Sequence, residues 1–221
     1  EAPFDEVQDS LEDVRLVNRY LGGYRVLLYY IRNFIKRHPL DKEFLVLDLA
    51  TGSADQPIAV VDMARQLNVK IKVVALDINS KMLNYAHEKI RAYPEIHLVQ
   101  GDIHSPPFGE NSFDVVMNSL SLHHFTRIQA VNILRMADLM SRSGFIINDL
   151  NRSRIAYAFI LILTRVVTKN RLTRHDAPVS VMNAFTPSEM AEMAQEAGVK
   201  CFTVNRHFPY RIGLVSTRKD Y

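Results

Sequence analysis

Phe44-Leu45-Val46-Leu47-Asp48-Leu49-Ala50-Thr51-Gly52-Ser53-Ala54-Asp55 is the stretch that decides the fold. Its first six residues are a nearly continuous apolar run, the pattern of a strand buried on both faces. Small residues follow, and then a helical run from Ile58 to Leu67. A tight small-residue turn between a buried strand and a helix lets the backbone approach a ligand closely and aims helix N–H groups at it. A dinucleotide fingerprint needs three spaced glycines, and the turn has Gly52 alone. A phosphate loop needs Lys-Ser/Thr after its glycines, and none is present.

Outward from this stretch, strands and helices alternate. Val69 to Leu76 is a second strand, Ser80 to Ala92 a helix with Ser80 as its N-cap, and Ile96 to Val99 a third strand. Phe113 to Met117 is a fourth strand, Ile128 to Met140 a helix, and Phe145 to Ile147 a fifth strand. The alternation predicts an α/β fold, a doubly wound parallel sheet with helices on both faces. Thr186-Pro187-Ser188-Glu189 starts a helix with a cap, a proline at its first position and a capping glutamate, and the helix stops at Gly198. Cys201 to Phe208 and Ile212 to Thr217 are then two strands. The Pro209-Tyr210-Arg211 gap is too short for a crossover helix, so they pair antiparallel. Before the first strand, Val7, Leu11, Val14 and Leu16-Val17 recur at helical spacing. Gly22-Gly23 breaks that run, and Tyr24 to Ile35 forms a second helix.

Composition excludes several classes. Of 221 residues, 48% are hydrophobic and 23% charged, a globular balance. The single cysteine, Cys201, rules out an intrachain disulfide and a cysteine-based zinc cluster, and fits a reducing compartment. Lys+Arg 27 against Asp+Glu 24 leaves a net charge of +3, too small an excess for a nucleic-acid-binding face. The most apolar run, Ala156 to Leu163, is too short to span a bilayer, so no stable membrane insertion is expected. A cytoplasmic protein is the expectation, and a homodimer is compatible with it.

Three acid-tipped strand ends carry the chemistry. Asp48 closes the first strand, and Ala75-Leu76-Asp77-Ile78 ends the second on an acid suited to accept hydrogen bonds from two ribose hydroxyls. Gly101-Asp102-Ile103 follows the third, and Phe113-Asp114-Val115-Val116 opens the fourth. In their order and spacing these segments resemble the class I S-adenosylmethionine-dependent methyltransferases, over roughly residues 40 to 220. Asn18-Arg19-Tyr20-Leu21-Gly22-Gly23 and Arg174-His175-Asp176-Ala177-Pro178-Val179-Ser180 are most similar to the ubiquinone/menaquinone-type branch and to relatives that modify phenolic or polyketide compounds.

The resemblance implies a Rossmann-like seven-stranded, mostly parallel sheet with an antiparallel last strand. It implies one domain made of a helical cap (1–40), a cofactor-binding core (41–150 and 186–221) and an inserted lid (151–185). The cofactor would be S-adenosylmethionine, with S-adenosylhomocysteine as product. Asp48, Ala50, Thr51 and Gly52 would hold its methionine part, Asp77 the ribose, and Ile78 would pack on the adenine. Asp102 and Ile103 would flank the adenine amino group, and Asn118 would lie beside the reacting methyl. The family has glycines where this chain has Ala50 and Ala54, a departure that would weaken or alter the cofactor contact, although alanine is the mildest such change and binding is still expected. Ser105-Pro106-Pro107-Phe108 matches the signature of nitrogen-directed methyltransferases, but it precedes the fourth strand instead of following it and so is a turn.

A phenolic acceptor gains nucleophilicity when a base removes its proton. His123 and His175 are the candidate bases, and Asp149 at the end of the fifth strand could assist either; each histidine has a competing reading as a helix-capping or packing residue. The fourth and fifth strand ends, Asn118 and Asn148-Asp149, carry one acid between them, so no metal is expected. Tyr20, Tyr24, Tyr157, Phe159 and Met182 could line an aromatic acceptor pocket, although such residues more often pack a core. Arg152 and Arg154 would pair an acceptor carboxylate or else face water. The 151–185 segment, with six Arg and Lys and no acid before Asp176, either covers the ligand crevice or presents a solvated basic face. The expected function is methyl transfer to a small aromatic molecule, phenolic, quinol or polyketide-derived, with oxygen preferred slightly over carbon as the methylated atom. Two alternatives stand beside it: a non-catalytic cofactor-binding relative, and an RNA or protein methyltransferase.

Overall fold

The computed structural model describes residues 22–39 and 41–218. The expected helix through Val7 to Val17, and Tyr20, lie outside the described residues. Helix α1 (Gly23–Ile35) precedes strand β1 (Phe44–Leu49), which leads into α2 (Asp55–Gln66), β2 (Ile71–Asp77), α3 (Ser80–Lys89) and β3 (Ile96–Gln100). Then come β4 (Phe113–Ser119), a 3₁₀ turn (Leu122–His124), α4 (Arg127–Met140) and β5 (Ser141–Leu150). Helices α5 (Arg154–Val167), α6 (Arg171–Asn183) and α7 (Pro187–Glu196) follow, and strands β6 (Phe202–His207) and β7 (Arg211–Ser216) end the chain.

The strands form one seven-stranded sheet in the order β3-β2-β1-β4-β5-β7-β6. Pairings from β3 through β5 are parallel, while β7 runs antiparallel to both β5 and β6. This is the expected α/β sheet with one reversed strand, and that strand sits between β5 and β6. The strand order reverses between β1 and β4, and in open α/β sheets ligands bind outside the carboxyl ends of the strands at such a point.

Period-two alternation divides the strand residues between two cores. Leu47, Leu49, Val116, Phe145 and Ile147 pack against α4 and α7. Phe44, Val46, Val115, Met117 and Ile146 pack on the other face against α1 and α2. In α1 the buried positions Val26, Leu27, Tyr30, Ile31 and Phe34 recur at helical spacing and turn one stripe to the sheet. Capping boxes start α4 (Thr126 with Gln129) and α7 (Thr186 with Glu189), the second as its sequence predicts. The cap of α3 is a correction: the Asn79 side chain, not that of Ser80, accepts from the backbone N–H of Lys81 and Met82. The 151–185 segment holds two helices instead of one, packed on each other.

Gly144, in β5, is the tightest of the described glycines. Its φ is +147°, and a Cβ built there would lie 2.0 Å from the Ser216 carbonyl oxygen on β7. Backbone cannot move aside as a side-chain tip can, so Gly144→Ala is expected to cost about 3 kcal/mol or more. The check is a urea midpoint: a clear fall, or loss of folded protein, is the expected result.

Candidate functional site

The turn after β1 is built on left-handed backbone. Ala50, Gly52 and Ala54 have φ of +56°, +57° and +59°. Only glycine adopts this conformation without penalty; a Cβ there costs roughly 1–2 kcal/mol. The two alanines that depart from the family pattern therefore sit where the backbone favours glycine, and the turn holds its shape through its surroundings. Thr51 N–H donates to the Leu76 carbonyl (2.9 Å), and Gly52 N–H donates to Asp77 Oδ2 (2.8 Å). A Cβ on Gly52 would meet nothing within 4 Å, so that face of the turn is open.

Asp77 closes β2, and its other oxygen accepts from Asn79 N–H (2.9 Å). Its backbone carbonyl accepts from Gly101 N–H (3.0 Å), which brings the third loop to the same edge. Ile78, next along, is 66% exposed, an apolar side chain standing beside the acid. Asp102 is exposed and its Oδ1 accepts from His104 N–H (2.8 Å), whereas Ile103 is buried in the core.

Asp48 is buried at the end of β1, and its Oδ2 has no hydrogen-bond partner within the protein. Burial raises its pKa to about 7; the Thr51 side chain opposes the rise and the nearby Asp77 charge adds to it. The Oδ1 of Asn118 is likewise without a protein partner. Asn118, at the end of β4, donates through Nδ2 to the Leu49 carbonyl (2.7 Å) and to Ser121 Oγ (2.5 Å). Two orphaned polar atoms, on Asp48 and Asn118, thus lie at the carboxyl ends of neighbouring strands.

Across the switch point, His123 and Asp149 form a buried pair. The 3₁₀ turn carries His123, and its Nδ1 lies 2.6 Å from Asp149 Oδ1. His123 N–H donates to Asp149 Oδ2 (3.0 Å), and Leu150 N–H to Oδ1 (2.7 Å). Burial alone would raise the Asp149 pKa, but the His123 charge and these hydrogen bonds outweigh it and hold the carboxyl below its usual range. The His124 ring lies 4.2 Å from that of His123, tilted by 45°, and its pKa is lowered by burial and then by the His123 charge.

Sequence patterning missed Arg211. It opens β7 opposite Leu150 and is almost fully buried. Its guanidinium pKa falls to about 10 through burial, with the Asp149 charge opposing the fall. An arginine beside a short turn normally signals solvent, and only the insertion of β7 beside β5 places it inside.

The other expected residues are more scattered. His175 is exposed and pairs with Asp176 (2.9 Å), not with Asp149. Arg152 is held by Glu189 (2.5 Å). Tyr24 is half-buried in the first turn of α1, and Tyr157 packs with Ala156, Ile160 and Val181 between α5 and α6. Met182 is exposed on α6. Among the described residues, no three His, Cys, Asp or Glu side chains group as a metal site would require.

The Asp48 carboxyl has a pH consequence. Its folded pKa lies above the ordinary 3.8, so between about pH 4 and 7 the folded chain holds a proton that the unfolded chain releases. Its contribution to stability therefore falls as pH rises through that window. At pH 8 the ligand-free Asp48→Asn variant is expected to be about 2–4 kcal/mol more stable than the parent, with little difference at pH 4. Calorimetric melting at both pH values checks this. Ala50→Gly, which relieves a left-handed alanine, is expected to gain about 0.5–1 kcal/mol in the same assay.

Comparison with known proteins bears on this edge. Residues 46–144 match the family model described as a methyltransferase domain. The chain is 35% identical over 96 residues to demethylmenaquinone methyltransferase of Lactobacillus johnsonii, covering 42% of this chain and 38% of that protein. It is 29% identical over 166 residues to the enzyme of that name from Thermotoga maritima, covering 69% of each. It is 35% identical over 85 residues to the ubiquinone/menaquinone biosynthesis C-methyltransferase UbiE of Blochmanniella pennsylvanica, covering 37% of this chain and 32% of that one. The chain thus spans well under half the length of two of these relatives. The fold superposes on a structure of an S-adenosylmethionine-dependent methyltransferase from Aquifex aeolicus with a TM-score of 0.59, at 17% identity, over 84% of this chain and 87% of that one. Sheet order, the acid-tipped strand ends and these matches agree in supporting a class I S-adenosylmethionine-dependent methyltransferase, the family that implies S-adenosylmethionine as cofactor.

Proposed function

We propose that this chain transfers a methyl group to a small quinol-type aromatic acceptor, with His123 as the base that activates it. The observation that carries this reading is the buried His123–Asp149 pair at the carboxyl edge of the sheet. The relatives named as acting on demethylmenaquinone, and in the ubiquinone/menaquinone pathway, support the acceptor class.

The residues of the β1–β3 edge fit the cofactor. Asp48 is a buried carboxyl with an unpartnered oxygen, and the ammonium of a bound methionine moiety would supply the charge it lacks. The open face of Gly52 leaves room for that moiety. Asp77 keeps further lone pairs on both oxygens for the ribose hydroxyls, and exposed Ile78 offers the adenine an apolar face. Bound there, the cofactor supplies an electrophilic methyl on a sulfonium leaving group.

The protein's own work is alignment and proton removal. Holding the reactants in line can account for about 7–11 kcal/mol of barrier. Asp149, kept ionised, accepts from Nδ1 of His123 and so leaves Nε2 as the basic nitrogen. Removing a phenolic proton places negative charge on oxygen and on the ring carbons ortho to it. The same base therefore serves either methylated atom. Phenol chemistry slightly favours oxygen; we take ring carbon as the methylated atom here, a reading supported by the Blochmanniella relative's name as a C-methyltransferase.

With a demethylated naphthoquinol as acceptor and methyl-labelled cofactor, the product's carbon-13 spectrum distinguishes a ring methyl from a methoxy group; a ring methyl is expected. His123→Ala is expected to lower kcat by about 10²–10⁴ while cofactor affinity changes little. Undiminished turnover in that variant would remove His123 from the chemistry.

A further inference from the structure

We propose that the outer face of α5 docks on an anionic phospholipid bilayer. Ile155, Phe159, Ile162 and Val166 recur at intervals of four, three and four residues and so form one stripe along the helix. All four are exposed, Ile155 at 68%, Ile162 at 64% and Val166 at 80%. The helix is not short of a buried side, since Ala156, Ile160 and Thr164 are buried, the first two in a cluster with Val181 of α6. α5 therefore carries two apolar faces, and soluble helices ordinarily carry one.

Charge tells what covers the second face. Arg154, Arg165, Lys169 and Arg171 are exposed on or just beyond α5, and no Asp or Glu occurs between Asn151 and His175. A protein partner would ordinarily be met with charges of both signs. An apolar stripe on a segment that carries cations and no acid matches a surface of hydrocarbon beneath anionic headgroups. Fourteen residues extend about 21 Å, too short to cross a bilayer and suited to lie in its interface. Among the described residues no helix is long and apolar enough to cross a membrane. The far end of α5 is also prepared for an apolar setting, because the Arg174 guanidinium donates to the carbonyls of Thr168 (2.7 Å) and Arg165 (3.0 Å).

The patch borders the site edge. The Phe159 ring lies 6.1 Å from that of Tyr210, which precedes buried Arg211, and Asn151 N–H donates to the Tyr210 carbonyl (2.9 Å). A bilayer on α5 would bring a lipid-soluble acceptor to the mouth of the crevice. The docking itself does not depend on the acceptor or on turnover.

The test is co-sedimentation of the full chain with vesicles of phosphatidylglycerol and phosphatidylcholine, against vesicles of phosphatidylcholine alone. Binding to the anionic vesicles is expected, reduced at least fivefold by 0.5 M salt in keeping with screening to about 3–5 Å. Ile162→Ser with Val166→Ser, and separately Arg165→Glu with Lys169→Glu, are each expected to lower it at least tenfold with the melting temperature unchanged or raised. No binding to anionic vesicles overturns the proposal, as does binding that both double variants retain. A fall in melting temperature in the Ser variant would overturn it by showing the face covered within the chain. A dimer that the same variant converts to monomer, by light scattering, would overturn it in favour of a second copy. Because no methyl acceptor is present, inactivity towards quinols leaves this outcome unaffected.

Discussion

The Asp77 carboxylate accepts the Gly52 N–H with one oxygen and the Asn79 N–H with the other, while its backbone carbonyl takes the Gly101 N–H. One residue thereby ties the loops after β1, β2 and β3 to a common edge. The β1 turn needs this anchor, because Ala50 and Ala54 hold left-handed backbone that alanine alone would leave. A second acid, Asp48, is buried close enough for the Asp77 charge to add to its raised pKa. An edge that keeps two neighbouring carboxyls and leaves an oxygen of one without a partner is stable only at some electrostatic cost. A positively charged ligand removes that cost, which links the fold of this edge to what it binds.

The other half of the crevice rests on β4 and β5. Asn118 bridges the halves by donating to the Leu49 carbonyl across the switch point and to Ser121 in the loop that carries His123. Period-two alternation along β5 explains the division of labour. Asn148 faces α1, where it donates to the Gly23 carbonyl, and Asp149 faces the opposite layer, where His123 meets it. The sheet therefore presents the acid-lined β1–β3 edge, where we propose that the cofactor binds, and the His123–Asp149 pair from β4–β5, side by side at one end.

Much of this is legible in residues 44–55 and in the spacing of the acids after them. A buried parallel strand, a small-residue turn and a following helix leave their marks locally, as does the antiparallel last hairpin, whose three-residue gap permits no crossover. The Thr186–Glu189 capping box is equally local. What escaped has a common cause in long-range burial. β5 begins at Ser141, well before the apolar Phe145, because Ser141 and Ser143 are buried by neighbours distant in sequence. Arg211 is enclosed only because β7 inserts beside β5. The left-handed backbone of Ala50 and Ala54 is imposed by the anchors to Leu76 and Asp77, and alanine carries no local signal of it. Pairing also separates the two candidate bases, since His123 meets Asp149 whereas His175 meets only its neighbour Asp176.

The central claim is that the β1–β3 edge is a built site for S-adenosylmethionine despite its two alanines. Calorimetric titration with S-adenosylhomocysteine, with NAD as control, tests it most directly. The account predicts one-to-one binding in the micromolar range, absent for NAD and lost in Asp77→Ala. A folded chain that binds neither ligand would contradict it.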